Sequence, residues 1–236
     1  LRQGKSIADA RNGGASGCVE TGAFGTEAYW LTGYFNLVKI LELTLSNGFD
    51  KRTGNQVGLK TGLPAGFRTF NDLVGAFRKQ VNYFSDIKIR GNNIISSIFE
   101  TWLPVPFLSL LVEDCIESGR DYNCGGTRYN TTYIQGVGLG SITDMLTSIR
   151  YNIYDIGKYS WDELLAAMEA DFEGFDELRY DLVYNTPKYG NDDDYADQQA
   201  VTVFEIYYDA VNGRPASRGG VHRINMLPTT SHVYFG

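Results

Sequence analysis

The chain has 236 residues, 43% of them hydrophobic and 21% charged, with a net charge of −7. That length and apolar content suffice for a sizeable core, and the acidic balance argues against a nucleic-acid or anionic-membrane partner. Its three cysteines, Cys18, Cys115 and Cys124, form no C-x-x-C motif and read as reduced thiols of a cytoplasmic protein.

The first feature in chain order is a glycine-rich run, Asn12 to Gly17, which reads as a loop and leads into Cys18-Val19-Glu20. Thr26 to Ser46 is apolar and aromatic on nearly all faces, which predicts a buried helix stopped at Ser46-Asn47-Gly48. The four glycines Gly54, Gly58, Gly62 and Gly66 mark a long surface connection over residues 50–68. Thr69 with Asp72 has the form of a capping box. Helical periodicity runs from there to about Ser85 and, after a break, from Ile94 to Trp102. Pro104 and Pro106 end that stretch, and Phe107 to Glu117 predicts another helix, stopped at Gly119, with Cys115 in the core.

Tyr129 to Ile134 is β-branched and aromatic, so a buried strand is expected. A helix near Ile142 to Tyr154 follows, then a second capping box at Ser160 and Glu163 before a helix over Leu164 to Phe172. Asp176 to Tyr184 is a short helix, and Tyr195 to Asn212 a longer one ended by Gly213. Asp192-Asp193-Asp194 places negative charge at that helix's N-terminus. Val221 to Met226 is the last strand. Strands set between helical runs predict parallel pairing with helical crossovers, an α/β, barrel-like layout. No apolar run reaches the roughly 18–20 residues that span a bilayer, so no membrane partner is expected.

Cys18 and Glu20 carry the most chemical information. In extended backbone, residues i and i+2 project to one side, so this thiol and carboxylate flank one small molecule. A nucleophilic cysteine needs a cation, a histidine or a helix N-terminus to hold its thiolate. An anion beside it disfavours the thiolate, and His222 and His232 lie far downstream. An S–H kept next to a carboxylate suits hydrogen-atom chemistry, with Glu20 moving protons. Gly136-Val137-Gly138-Leu139-Gly140 comes near a dinucleotide fingerprint, but Ser141 stands where the third glycine belongs. These glycines read as strand-to-helix packing.

Gly17-Cys18-Val19-Glu20 resembles the active-site loop of the glycyl radical enzymes, the pyruvate formate-lyase superfamily, in its dehydratase and lyase branch. The resemblance runs the length of the chain. It includes Cys115 to Asn123, Gln135-Gly136-Val137-Gly138, Pro187 to Asp193 and Met226-Leu227-Pro228-Thr229-Thr230-Ser231-His232. Thr21-Gly22-Ala23 departs from the diol-dehydrating and choline-cleaving pattern, where proline follows the glutamate, and is most similar to the hydroxyproline-dehydrating members.

The resemblance implies that residues 1–236 form part of a ten-stranded α/β barrel with the cysteine loop inside it. The N-terminal half of the barrel and the glycyl radical loop are absent from these residues, so the fragment alone is expected to be inactive. It implies a radical dehydration of hydroxyproline to 1-pyrroline-5-carboxylate. Cys18 would carry a thiyl radical, Glu20 would shuttle the proton, and Tyr34 and Thr229 would bind substrate. The radical would come from a protein-based glycyl radical installed by a radical S-adenosylmethionine iron–sulfur activating enzyme, with no cofactor or metal bound in this chain. A homodimer in the cytoplasm of an anaerobic bacterium completes the expectation. A sister dehydratase or lyase acting on glycerol, propanediol or choline, and a catalytically silent fragment, are the alternatives. His222, His232 and Cys124 have no assigned role.

Overall fold

A computed structural model describes residues 4–16 and 20–227. In chain order the elements are α1 (Ile7–Arg11), β1 (Gly13–Ser16), β2 (Glu20–Ala23), β3 (Glu27–Asn36) and α2 (Leu37–Leu45). Two short strands follow, β4 (Phe49–Asp50) and β5 (Asn55–Gln56), then α3 (Phe70–Trp102), α4 (Pro106–Ser109) and α5 (Glu113–Ser118). The chain continues through β6 (Tyr129–Val137), α6 (Leu139–Ile149), α7 (Trp161–Glu169), α8 (Asp176–Tyr184), α9 (Asp194–Val211) and β7 (Val221–Leu227). Contacts group these into two units, one of Leu1–Phe35, Ser85–Val137 and Tyr208–Leu227, the other of Asn36–Phe84 and Gly138–Tyr207.

The first unit is built on a sheet of order β3-β6-β7. β6 and β7 run parallel, from Thr131 opposite Val221 to Val137 opposite Leu227. Thr131 through Val137 are all buried, as a central strand covered on both faces requires. The expected parallel pairing with helical crossovers is therefore present in this α/β chain. β1 and β2 form a separate antiparallel hairpin that pairs Gly13 with Ala23 and Ser16 with Glu20. Cys115 is 3% exposed, a core residue as expected.

Three of the expected helices need correction. Thr26 to Ser46 is not one helix but β3 followed by α2, with Asn36 capping the helix through the Lys39 amide N–H at 3.0 Å. An unbroken apolar run does not separate strand from helix by its periodicity, and the aromatic Tyr29, Trp30, Tyr34 and Phe35 favour the strand. Residues 70–102 form the single helix α3, without the expected break. Gly91 in its middle costs about 1 kcal/mol against alanine, and buried Leu73, Phe77, Val81 and Ile89 outweigh it. Phe107 to Glu117 divides into α4 and α5.

In the second unit the helices pack on one another. Both capping boxes form: Asp72 accepts from the Thr69 amide at 2.8 Å, and Glu163 from the Ser160 amide at 2.7 Å. The Tyr154 hydroxyl donates to the Phe67 carbonyl at 3.2 Å and accepts from the Trp161 indole N–H at 3.1 Å. At Gly138, with φ +88, a Cβ would lie 2.8 Å from the Val38 side chain. This close approach supports packing as the reason for that glycine run. The Asp193 carboxylate accepts from the Tyr195 amide at 3.0 Å, as the helix N-terminal reading of Asp192 to Asp194 requires.

Candidate active site

The glycine-rich run expected to be a loop is the hairpin β1–β2, whose strands are joined by residues 17–19. Cys18 is on that connection and lies outside the described residues, as do Thr229 and His232. Glu20, the first residue of β2, is half-buried and accepts a hydrogen bond from Gln135 Nε2 of β6 at 3.3 Å. Gln135 is 1% exposed, and its own Oε1 is buried with no hydrogen-bond partner among the described residues.

Glu27 fastens the hairpin to the sheet. Its side chain is 2% exposed and ion-paired with Lys5. It also accepts from the Ala23 amide of β2 at 2.7 Å and from Thr131 Oγ1 of β6 at 2.8 Å. A buried carboxylate needs this many donors to remain in place, and together they fix the strand that presents Glu20.

The same face carries an aromatic pair. Tyr29 of β3 stacks on Tyr133 of β6 with ring centroids 4.2 Å apart and 14° between planes. Asn225 of β7 donates through Nδ2 to the Tyr29 hydroxyl. Burial, then Tyr133 and the negative charge of Glu20, push the Tyr29 phenol well up, so it stays protonated. Register places Asn225 beside Gln135, and paired residues of neighbouring strands project to one face. Glu27, Tyr29, Thr131, Tyr133, Gln135 and Asn225 thus form one polar, aromatic surface with Glu20.

Tyr34 sits on β3, not on the expected helix, and is 49% exposed. Even-numbered Thr32 faces α3, where Asn92 Nδ2 donates to its hydroxyl at 2.8 Å. At Gly33, φ is +105 and a Cβ would lie 2.9 Å from Lys88 Nζ, also on α3.

The structure thus brings Glu20 together with Gln135, Tyr29, Glu27 and Asn225, none of the last four foreseen. One signal was present in the sequence: Gln135 is a lone amide inside the apolar run Tyr133 to Val137. His222 is fully buried on β7, with neither ring nitrogen hydrogen-bonded among the described residues. Burial and the charge of Arg214 lower it to about 4, so it is neutral. The Cys124 thiol, pushed up by burial, donates to the Glu100 carbonyl at 3.4 Å. Among the described residues no group of three His, Cys, Asp or Glu side chains is placed to hold a metal ion. No helix among them is long and apolar enough to cross a membrane.

The profile of the family described as pyruvate formate lyase-like matches residues 1–236. The chain belongs to this family. It is 54% identical over 236 residues to a trans-4-hydroxy-L-proline dehydratase of Clostridioides difficile, a match covering 100% of this chain and 30% of that protein. The crystal structure of hydroxyproline dehydratase from Clostridioides difficile, with trans-4-hydroxy-L-proline bound, superimposes with a TM-score of 0.96 at 55% identity. That superposition covers 99% of this chain and 30% of the other. The glycerol-bound form of the B12-independent glycerol dehydratase from Clostridium butyricum gives a TM-score of 0.93 at 34% identity, over 100% of this chain and 30% of that one. The chain therefore spans about a third of the length of the relatives it matches.

Proposed function

We propose that the full-length protein carrying these residues dehydrates trans-4-hydroxy-L-proline to 1-pyrroline-5-carboxylate. Residues 1–236 would contribute the cysteine-bearing part of a ten-stranded α/β barrel. The observation that carries this reading is Glu20, held by Gln135 on the hairpin whose connection contains Cys18. The 54% identity to a dehydratase of that substrate supports it.

A protein-based glycyl radical elsewhere in the polypeptide, installed by a radical S-adenosylmethionine iron–sulfur enzyme, would supply the unpaired electron. Glu20, with Gln135 and Asn225 beside it, fits that chemistry by offering a proton carrier and hydrogen-bonding amides. Cys18, as thiyl, takes a hydrogen atom from the ring carbon beside the substrate nitrogen. Glu20 gives its proton to the neighbouring hydroxyl oxygen, the carbon–oxygen bond breaks, and water leaves. A proton from the substrate nitrogen returns to Glu20, and Cys18 gives its hydrogen atom to the carbon that bore the hydroxyl. Substrate and product then differ by one water. General-acid assistance of this kind contributes typically 10²–10⁴-fold. Tyr34 would line the substrate pocket, and Thr229 would hydrogen-bond the substrate carboxylate. The protein would work as a homodimer in the cytoplasm of an anaerobe.

The test is anaerobic incubation of the activated full-length protein with hydroxyproline, glycerol, propane-1,2-diol and choline. Pyrroline carboxylate should form from hydroxyproline alone, and neither Cys18→Ala nor Cys18→Ser should make it. Turnover of glycerol but not hydroxyproline would reject the substrate. Full activity of Cys18→Ala would reject the radical chemistry.

A further inference from the structure

We propose that Gln135 positions Glu20 and offers its carbonyl oxygen to the substrate hydroxyl that departs as water. The inference deepens the dehydratase reading and rests on it. Gln135 sits in β6 where every residue from Thr131 to Val137 is buried. A primary amide in such a strand is tolerated when both of its ends are hydrogen-bonded. Its Nε2 donates to Glu20 Oε1 at 3.3 Å, while its Oε1 is buried and without a partner among the described residues. That oxygen can only accept, and the donor assigned to it here is one brought to the Glu20 side of the sheet.

The neighbouring strand shows what an amide does on this face. Asn225, opposite Gln135 in the β6–β7 register, spends its Nδ2 on the Tyr29 hydroxyl. The two amides thus hold, side by side, the acid and the phenol of the site. A hydroxyl leaving group has one hydrogen to give and lone pairs to receive a proton. Donating that hydrogen to Gln135 Oε1 turns a lone pair toward Glu20, which accepts from the same amide. Glu20 then protonates an oxygen already oriented to receive it, which is the geometry that general-acid catalysis rewards. An analogue without the hydroxyl leaves the buried acceptor empty, and a site built to pair a hydroxyl rejects such analogues strongly.

Among the described residues, the other ionisable groups gathered on this face are Lys5, Glu27 and Tyr29, with Tyr133 of β6 and Arg223 of β7. They are common to every variant below, so a shift between variants reports on the amide. The full-length protein is activated anaerobically and its radical content read by electron paramagnetic resonance. Gln135→Met, near in size and without polar atoms, should retain radical content yet lose about tenfold to a hundredfold in kcat. Its Glu20-dependent pH limb should move upward, because an ionised carboxylate has lost a donor. Calorimetry on the unactivated protein should show its preference for hydroxyproline over proline reduced. Gln135→Glu retains an acceptor but no donor, so it should move the limb further while keeping more of that preference.

A Met variant within twofold of wild type in kcat, with the limb and the preference unchanged, would overturn the proposal. Should the Met variant fail to fold or to hold the radical, the Glu variant decides by the same readouts. An unmoved limb there also overturns it. A wild-type protein that dehydrates glycerol in place of hydroxyproline would defeat only the substrate assignment, and the same variants would then be read on glycerol.

Discussion

In the first unit the sheet buries polar side chains: Glu27 with three donors, and Gln135 Oε1 and both His222 nitrogens without a hydrogen-bond partner among the described residues. In the second unit a cleft of about 610 Å³ is walled by Leu41, Leu45, Ile149, Leu164 and Phe172. Its one lysine, Lys188, already donates to the Leu182 and Thr186 carbonyls at 2.7 and 3.2 Å. The contrast separates two uses of burial. Hydrocarbon contacts in the second unit provide stability that grows with area removed from water. Buried polar groups are costly, and the second unit holds such groups too, Gln80 and Asn152 among them, but Glu27 and Gln135 of the first unit gather beside Glu20, where prearranged hydrogen bonds serve a reaction.

The comparison breaks most visibly at Glu20. Glu20→Gln in the full-length protein should cut turnover by at least about 10²-fold, with a melting temperature close to wild type. A melting loss matching the activity loss would mean that Glu20 is structural. Next in size, Phe77→Ala in the second unit removes a fully buried ring and should cost about 3–5 kcal/mol of stability in denaturant titration. Turnover per radical in the folded fraction should be unchanged. Loss of turnover without loss of stability would erase the division between the units.

A smaller effect concerns pH. Burial and Arg214 hold His222 at about 4, below the usual ~6.5 of the unfolded chain. The stability that neutral His222 contributes is complete above ~6.5 and is lost as pH falls toward about 4, because the unfolded state takes up the proton first. His222→Leu should flatten melting temperature against pH in that window relative to wild type. Parallel curves for the two proteins would contradict the assignment. The smallest effect is at the α7 cap, where Ser160→Ala should cost about 1 kcal/mol and leave kcat untouched.

Much of this was legible in the residues because local chemistry decided it. Thr69 and Asp72, Ser160 and Glu163, and Gly213 mark helix ends through hydrogen bonds within a few residues. Tyr129 and Val221 open strands whose composition admits little else. β3 was misread because its apolar and aromatic residues run from Ala28 to Phe35 almost without alternation, even though Leu31 and Tyr34 are exposed. The hairpin β1–β2 was hidden by its glycines, which are poor strand formers on their own and are fixed here by Glu27, a residue outside the run. The site divides in the same way. Glu20 stood out through its spacing from Cys18, whereas Gln135 meets it across 115 residues of chain, a distance over which no local pattern reports.

The most direct measurement is a structure of the full-length protein with trans-4-hydroxy-L-proline bound. The account predicts the substrate hydroxyl oxygen within about 2.6–3.2 Å of a Glu20 carboxylate oxygen, the Cys18 sulfur beside the ring carbon next to nitrogen, and Gln135 touching both acid and hydroxyl. A substrate bound with its hydroxyl away from Glu20, or with Cys18 remote from the ring, would contradict it.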